Sequence, residues 1–128
     1  MKKKILLIDD NTFFLKVLSD LLTEDFAVVT AESGEKAIAL LKGEDCSTPG
    51  GSEPFDLIIT DLMMPGLSGF DVAQFVKGEN RRNKFTPVIM VSGTDLTKEE
   101  IRSHGCATYI PKTNLNKIAS MARILLLR

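Results

Sequence analysis

An open, doubly wound α/β sheet is the fold class this sequence predicts. Two observations carry the expectation: four short runs are apolar at nearly every position, and the segments between them have helical period. A strand that is apolar without alternation suits a parallel sheet covered on both faces, and strands alternating with helical segments build such a sheet from β-α units.

The elements follow in chain order. "ILLI" (5–8) reads as the first strand. In "NTFFLKVLSDLLTEDF" the apolar residues Phe13, Phe14, Val17, Leu18, Leu21 and Leu22 recur at three and four, with Asn11 or Thr12 available as the N-cap, so an amphipathic helix is expected. "AVVT" (27–30) is a weaker second strand. "SGEKAIALLKG" repeats the helical form, with Ser33 as cap, Ala37, Ile38, Leu40 and Leu41 inward, and Gly43 as the stop. The stretch "EDCSTPGGSEP" (44–54) is too rich in Ser, Pro and Gly to bury much and is expected to be a long surface loop. "FDLIIT" (55–60), "PVIMVS" (87–92) and "ATYI" (107–110) read as the remaining strands. "SGFDVAQFVKG", "TKEEIRSHG" and "NLNKIASMARILLLR" read as the remaining helices. The alternation is β-α repeated five times.

At 128 residues the chain fits one domain, 1–128, and one core. Its 44% hydrophobic and 26% charged residues are those of a globular chain rather than a disordered one. Sixteen basic residues against seventeen acidic ones leave no net field for nucleic acid or an acidic membrane, so neither is expected as a direct partner. The four apolar residues after Lys2–Lys4 are too few for a signal peptide, and no stretch approaches a membrane-spanning length. Cys46 and Cys106 lack the paired spacing of a zinc or redox motif, and a reduced, cytoplasmic protein is the expectation.

If the strands are placed correctly, polar residues stand where apolar runs end: Asp9 and Asp10, Asp61, Ser92 and, just past the fifth strand, Lys112. Ligands of open α/β sheets bind at the carboxyl ends of the strands, where the strand order reverses. Any one aspartate after a strand is more often a turn or cap former. Three carboxylates, a hydroxyl and an ammonium converging from four strand ends are harder to explain that way. Carboxylates crowded within about 4–6 Å repel and raise one another's pKa unless a cation holds them. An all-oxygen set of this kind suits Mg2+, or Mn2+, rather than zinc, and the lone His104 near Gly105 is expected at the surface or as a helix C-cap. A carboxylate flanked by such a metal, a lysine and a hydroxyl can act as a nucleophile toward phosphorus and form an aspartyl phosphate. The sequence has no GxxxxGKS or GxxxxGKT nucleotide loop, so the donor need not be ATP.

The ordered set "DD" (9–10), "DLMMPGLSG" (from 61), "VSG" (from 91) and "GCATYIPK" (from 105) resembles the receiver domain of two-component response regulators, the chemotaxis receivers included, over essentially the whole chain. The resemblance implies a flavodoxin-like fold, with a five-stranded parallel sheet of order 2-1-3-4-5 and helices on both faces. It implies that Asp61 is the phospho-acceptor, that Asp9 and Asp10 organise Mg2+ with Asp10 as the direct ligand, and that the Met63 backbone carbonyl is a further ligand. Ser92 resembles the switch hydroxyl, Lys112 the phosphate-contacting lysine, and Tyr109 the aromatic that changes rotamer. For Tyr109 a half-buried strand tyrosine remains the alternative. Met63 and Thr94 resemble positions that tune dephosphorylation, while Pro65 and Gly69 shape the loop after the acceptor and Met64 packs.

As partners the resemblance implies a sensor histidine kinase or phosphotransfer protein and a downstream effector or fused output domain. A homodimer through the fourth helix, fifth strand and fifth helix is also implied. The domain is then a signalling phospho-acceptor with slow autodephosphorylation, not an enzyme acting on a separate substrate. No effector domain precedes Arg128, so either a stand-alone receiver or a piece of a longer regulator is expected. "ILLL" (124–127) cannot face the sheet at every position, and reads as a frayed or covered helix end, a partner or dimer surface, or a connection.

Two departures stand out. Thr113 occupies the position after the lysine where the family usually has proline, with Pro111 before it, and the 44–54 loop is longer than usual. A cis Lys112–Thr113 bond would cost about 3 kcal/mol, so either the bond is trans, with a somewhat different lysine placement, or the fold supports the strain. A haloacid dehalogenase-like phosphatase is the rival enzyme reading, but it needs an aspartate where Met63 stands. A receiver-like binding module without phosphorylation is the non-catalytic rival, and the retained acidic set argues against it.

Overall fold

The computed structural model describes residues 2–43, 54–79 and 83–127. Five strands, β1 (Lys4–Ile8), β2 (Ala27–Ala31), β3 (Leu57–Asp61), β4 (Val88–Ser92) and β5 (Thr108–Pro111), alternate with five helices. The helices are α1 (Thr12–Leu22), α2 (Gly34–Leu41), α3 (Gly69–Gly78), α4 (Lys98–Ser103) and α5 (Leu115–Leu126). All strand pairs are parallel, in the expected order β2-β1-β3-β4-β5.

The burial of each strand follows from its place in the sheet. Every residue of β1, β3 and β4 is buried, because these interior strands have helices above and below. The edge strands β2 and β5 are only partly covered, which is why "AVVT" and "ATYI" carry fewer large apolar residues. Alternate strand residues feed two cores. Leu6, Ile8, Ile58, Val88 and Met90 pack with Leu40, Val72 and Val76 on the α2–α3 side. Ile5, Leu7, Ile59, Ile89 and Val91 pack with Leu18, Leu22 and Ile118 on the α1–α5 side.

Local signals set the helix starts. Asn11, Ser33, Ser68, Thr97 and Asn114 each accept a backbone N–H three residues on, and Ser68–Asp71 and Thr97–Glu100 are full capping boxes. Within α1 the inward stripe is Leu15, Leu18 and Leu22, so the expected apolar face is corrected. Phe13 and Leu21 are 64% and 38% exposed. At about 100° per residue, Phe13 lies on the far side from Leu15. Similarly, Ile38 in α2 is only half-buried.

No peptide bond among the described residues is cis, so Lys112–Thr113 is trans. In "ILLL", Leu125 and Leu126 pack partly on the α1–α5 core while Ile124 and Leu127 are 61% and 52% exposed. Apart from exposed Pro54, the expected 44–54 loop and Cys46 lie outside the described residues.

Candidate functional site

Strand register brings the polar residues together. Ile8 pairs with Thr60, Asp61 with Val91, and Ser92 with Pro111, so Asp9, Asp61, Ser92 and Lys112 emerge at one end of the sheet. The chain leaves β1 for β2 on one side and returns for β3 on the other. The Asp9–Asp61 crevice is therefore the switch point where α/β sheets bind ligands. Backbone bonds fix these ends: Asp9 N–H donates to Ala31 O at 3.1 Å, Leu62 N–H to Val91 O at 3.1 Å, and Lys112 N–H to Ser92 O at 2.9 Å.

Asp9, Asp10 and Asp61 each offer a carboxylate oxygen within 4.8 Å of the others, and this is the cluster of metal-capable groups found among the described residues. Asp9 and Asp61 are buried and Asp10 is exposed, which leaves the crevice open on the Asp10 side. Lys112 Nζ lies 2.8 Å from Asp9 Oδ2 and 3.3 Å from Asp61 Oδ2. It donates a hydrogen bond to Asp9 Oδ1 at 3.1 Å, and Asp9 Oδ1 also accepts the Asn11 N–H at 2.9 Å. Despite its short ionic contact, buried Asp9 Oδ2 has no hydrogen bond of acceptable geometry.

The electrostatics follow from this crowding. Burial first, and then the Asp9 charge, raises the Asp61 carboxyl above its ordinary value, with Lys112 and the Leu62 N–H opposing the rise. Burial pulls the Lys112 ammonium down, but bonding and charge from Asp9, followed by Asp61, outweigh it and raise its pKa. One lysine thus serves two carboxylates without neutralising the three. An underbonded buried oxygen and a net negative oxygen cluster both fit a hard divalent cation held by Asp9, Asp10 and Asp61.

The other expected residues lie at different places around the crevice and beyond it. Ser92 is buried, and its hydroxyl lies 3.0 Å from Thr94 Oγ1 and accepts the Thr94 N–H at 3.0 Å, so it is engaged with its own loop. Met63, two residues beyond Asp61, is 70% exposed. Tyr109 is half-buried and lies outside the acidic cluster. It lines a cavity of about 730 Å³ at α4 and β5 with Leu96, Ile101, Arg102 and Cys106. His104 caps α4, its Nδ1 2.8 Å from Glu100 O, and stacks on Phe70 at 3.8 Å, in agreement with a capping role.

Gly69 does more than shape a turn. A Cβ there would overlap the Asp61 carbonyl oxygen and come within 2.8 Å of Met90 Sδ, so α3 starts directly against the end of β3. Two features are not foreseen from the sequence. The bond between Ser92 and Thr94 is one. The other is Phe14, whose ring centroid lies 4.8 Å from Lys112 Nζ. The available signal is position: a helix beginning two residues after the acidic pair holds its first turn beside the crevice.

Comparison with known proteins places the chain in a family and agrees with the fold. Residues 5–123 match the response regulator receiver domain family. The chain is 34% identical over 129 residues to the transcriptional regulatory protein CpxR of Klebsiella pneumoniae, covering 98% of this chain and 50% of that protein. It thus spans about half the length of that relative. Among solved structures, the Vibrio cholerae chemotaxis protein CheY4 superposes with a TM-score of 0.80 at 26% identity, covering 98% of this chain and all of that one. The Thermotoga maritima response regulator TrrA, solved in complex with Mg2+ and BeF, gives 0.77 at 27% identity, covering 97% and 99% of the two chains.

Proposed function

The chain belongs to the response regulator receiver domain family, and on that premise we propose that Asp61 accepts a phosphoryl group from a phosphohistidine. The donor is a sensor histidine kinase or a phosphotransfer protein. The observation that carries this reading is the placement of buried Asp61 at the switch point, beside Asp9 and with Lys112 Nζ at 3.3 Å.

In the transfer an Asp61 carboxylate oxygen attacks phosphorus, a P–O bond forms, and the P–N bond breaks with its electron pair leaving on the imidazole. Asp9, Asp10, Asp61 and the Met63 carbonyl are the residues that would hold Mg2+. When bound there, the ion would supply neutralisation of the phosphoryl oxygens and of the crowded carboxylates. Lys112 contacts the incoming phosphoryl group as a point charge. Ser92 leaves Thr94 and donates its hydroxyl to the same group. Phosphoryl transfer requires chiefly positioning and charge stabilisation, and these groups supply both.

The acyl phosphate then shifts the face formed by α4, β5 and α5, with Tyr109 changing rotamer at the cavity. This face is the surface for a downstream effector, a fused output domain or a second copy of the domain. The acyl phosphate is lost by slow autodephosphorylation, with Met63 and Thr94 beside the reaction. A cytoplasmic location accompanies this role, and no helix among the described residues is long and apolar enough to cross a membrane.

The test is incubation with acetyl phosphate and Mg2+, followed by intact-mass measurement. Wild type gains one phosphoryl group, and Asp61→Asn and a sample with chelator gain none. Labelling of Asp61→Asn to the wild-type extent would sink the assignment.

A further inference from the structure

We propose that Phe14 is a positioning residue for Lys112, holding the ammonium over Asp61 through the face of its ring. The inference rests on the reading that Lys112 contacts the transferred phosphoryl group. Its own observations are the cap of α1 and the surroundings of one lysine. Asn11 Oδ1 accepts the Phe14 N–H at 3.1 Å, so the helix cap fixes the Phe14 backbone in the first turn. The Asn11 N–H is in turn tied to Asp9 at 2.9 Å, which joins this turn to the acidic crevice. From that fixed start the ring lies 4.8 Å from Lys112 Nζ, within the roughly 6 Å reach of a cation–π contact.

The contact matters because of what else surrounds the ammonium. Lys112 ends a flexible four-carbon stem, and its side chain is 23% exposed. Its charged neighbours are Asp9 and Asp61, at 2.8 and 3.3 Å. Both are residues that would hold the metal, so a bound cation would compete with Lys112 for their oxygens. The aromatic ring has no such second duty: it cannot ligate the metal and does not compete with phosphoryl oxygens for a proton. It is the neighbour that keeps Lys112 in place while its carboxylate partners are exchanged for a phosphoryl group. Phe14 also lines a shallow apolar groove with Asn11, Phe13, Val17 and Leu115, so packing alone is the competing account of its ring.

Phe14→Leu keeps an apolar side chain and removes the ring face, while Phe14→Tyr and Phe14→Trp keep a face. Two readouts are taken on the full chain. The first is the chemical shift of the Lys112 ε-methylene, which senses ring current directly. The second is the rate of labelling by acetyl phosphate, a donor too small to need protein docking. The expected result is a displaced Lys112 resonance and labelling slowed about two- to fivefold in Phe14→Leu, the size of a partly exposed cation–π contact, with both restored by Tyr and Trp. Thermal unfolding of each variant checks that folding is kept, and Phe14→Met replaces the Leu variant if it unfolds.

An unmoved Lys112 resonance in the Leu variant, or equal slowing in all three variants, would overturn the proposal in favour of packing. Failure of wild type to take label at all would overturn the functional reading instead, and the resonance would still report on the Phe14–Lys112 contact.

Discussion

Burial and the neighbouring Asp9 carboxylate raise the proton affinity of Asp61, and Lys112 offsets only part of the rise. A carboxyl whose folded pKa exceeds its unfolded value makes the folded protein bind more protons, so stability falls as pH climbs from the ordinary value of 3.8 through the folded value. Above that window the penalty is fully present, and below the ordinary value it is gone. In metal-free buffer, urea unfolding should therefore show Asp61→Asn more stable than wild type at neutral pH, with the gap closing on acidification. A less stable variant at neutral pH would contradict this electrostatic account. The same crowding predicts that Mg2+ stabilises wild type, by about 2.7 kcal/mol at a hundred times its Kd. Asp10→Ala should gain clearly less at the same concentration, as measured by thermal unfolding. The clustering of Asp9, Asp10, Asp61 and Lys112 was legible in the sequence because each stands at or just past the end of an apolar run. Phe14 was not, because an aromatic residue in an amphipathic segment has the same pattern whether it faces a core or a lysine. The present partner of Ser92 was hidden for another reason: a hydroxyl bond to Thr94 depends on a rotamer, and rotamers leave no periodic trace.

Helix α3 shows how an element fixes the position of Asp61. Its capping box fixes Ser68 and Asp71, its first residue Gly69 meets the Asp61 carbonyl, and the Gly69 N–H donates to Leu62 O at 2.9 Å. Gly69→Ala should cost about 1–3 kcal/mol, the usual range for overpacking a filled site, and should also slow labelling because β3 must shift. Equal stability of wild type and the Ala variant in urea unfolding would refute this. Helix α1 gives a contrast between neighbours. Leu15→Ala, in the buried stripe, should lose about 2–5 kcal/mol, whereas Phe13→Ala at an exposed site should stay within about 0.5 kcal/mol. The two variants compared by thermal unfolding would expose an error in the assigned face. That face was the part of α1 least readable from sequence, since Phe13, Phe14, Leu15, Val17 and Leu18 are apolar in near succession and several stripes compete. Element type and order were readable, because Gly43 and the capping residues punctuate the chain and the interior strands are apolar at most positions. The edge strand β2 was weaker for the physical reason that one side of it has less to cover.

Across the whole molecule the end of the sheet that carries the acidic cluster is joined to the α4–β5 cavity through Ser92. Its hydroxyl holds Thr94 at the start of the loop to α4, and its carbonyl accepts the Lys112 N–H beyond β5. Drawing that hydroxyl toward an acyl phosphate on Asp61 would release the loop and disturb the cavity where Tyr109 and Cys106 lie, leaving the α1–α5 core less affected. Cys106 offers a reporter. Burial, opposed by the Lys77 charge, pushes its thiol up to about 11, so at neutral pH it is both shielded and almost wholly protonated, and a thiol reagent should modify it slowly. In a Cys46→Ser background, phosphorylation should raise the modification rate of Cys106 by about five- to 150-fold if the switch is coupled by 1–3 kcal/mol and opening controls access. Ser92→Ala should accept the phosphoryl group but lose most of that acceleration, because the Thr94 loop no longer senses Asp61. Unchanged Cys106 reactivity in phosphorylated wild type would mean that the cavity does not take part in the switch. An equal acceleration in Ser92→Ala would mean that the signal reaches it by a route other than the Ser92 hydroxyl.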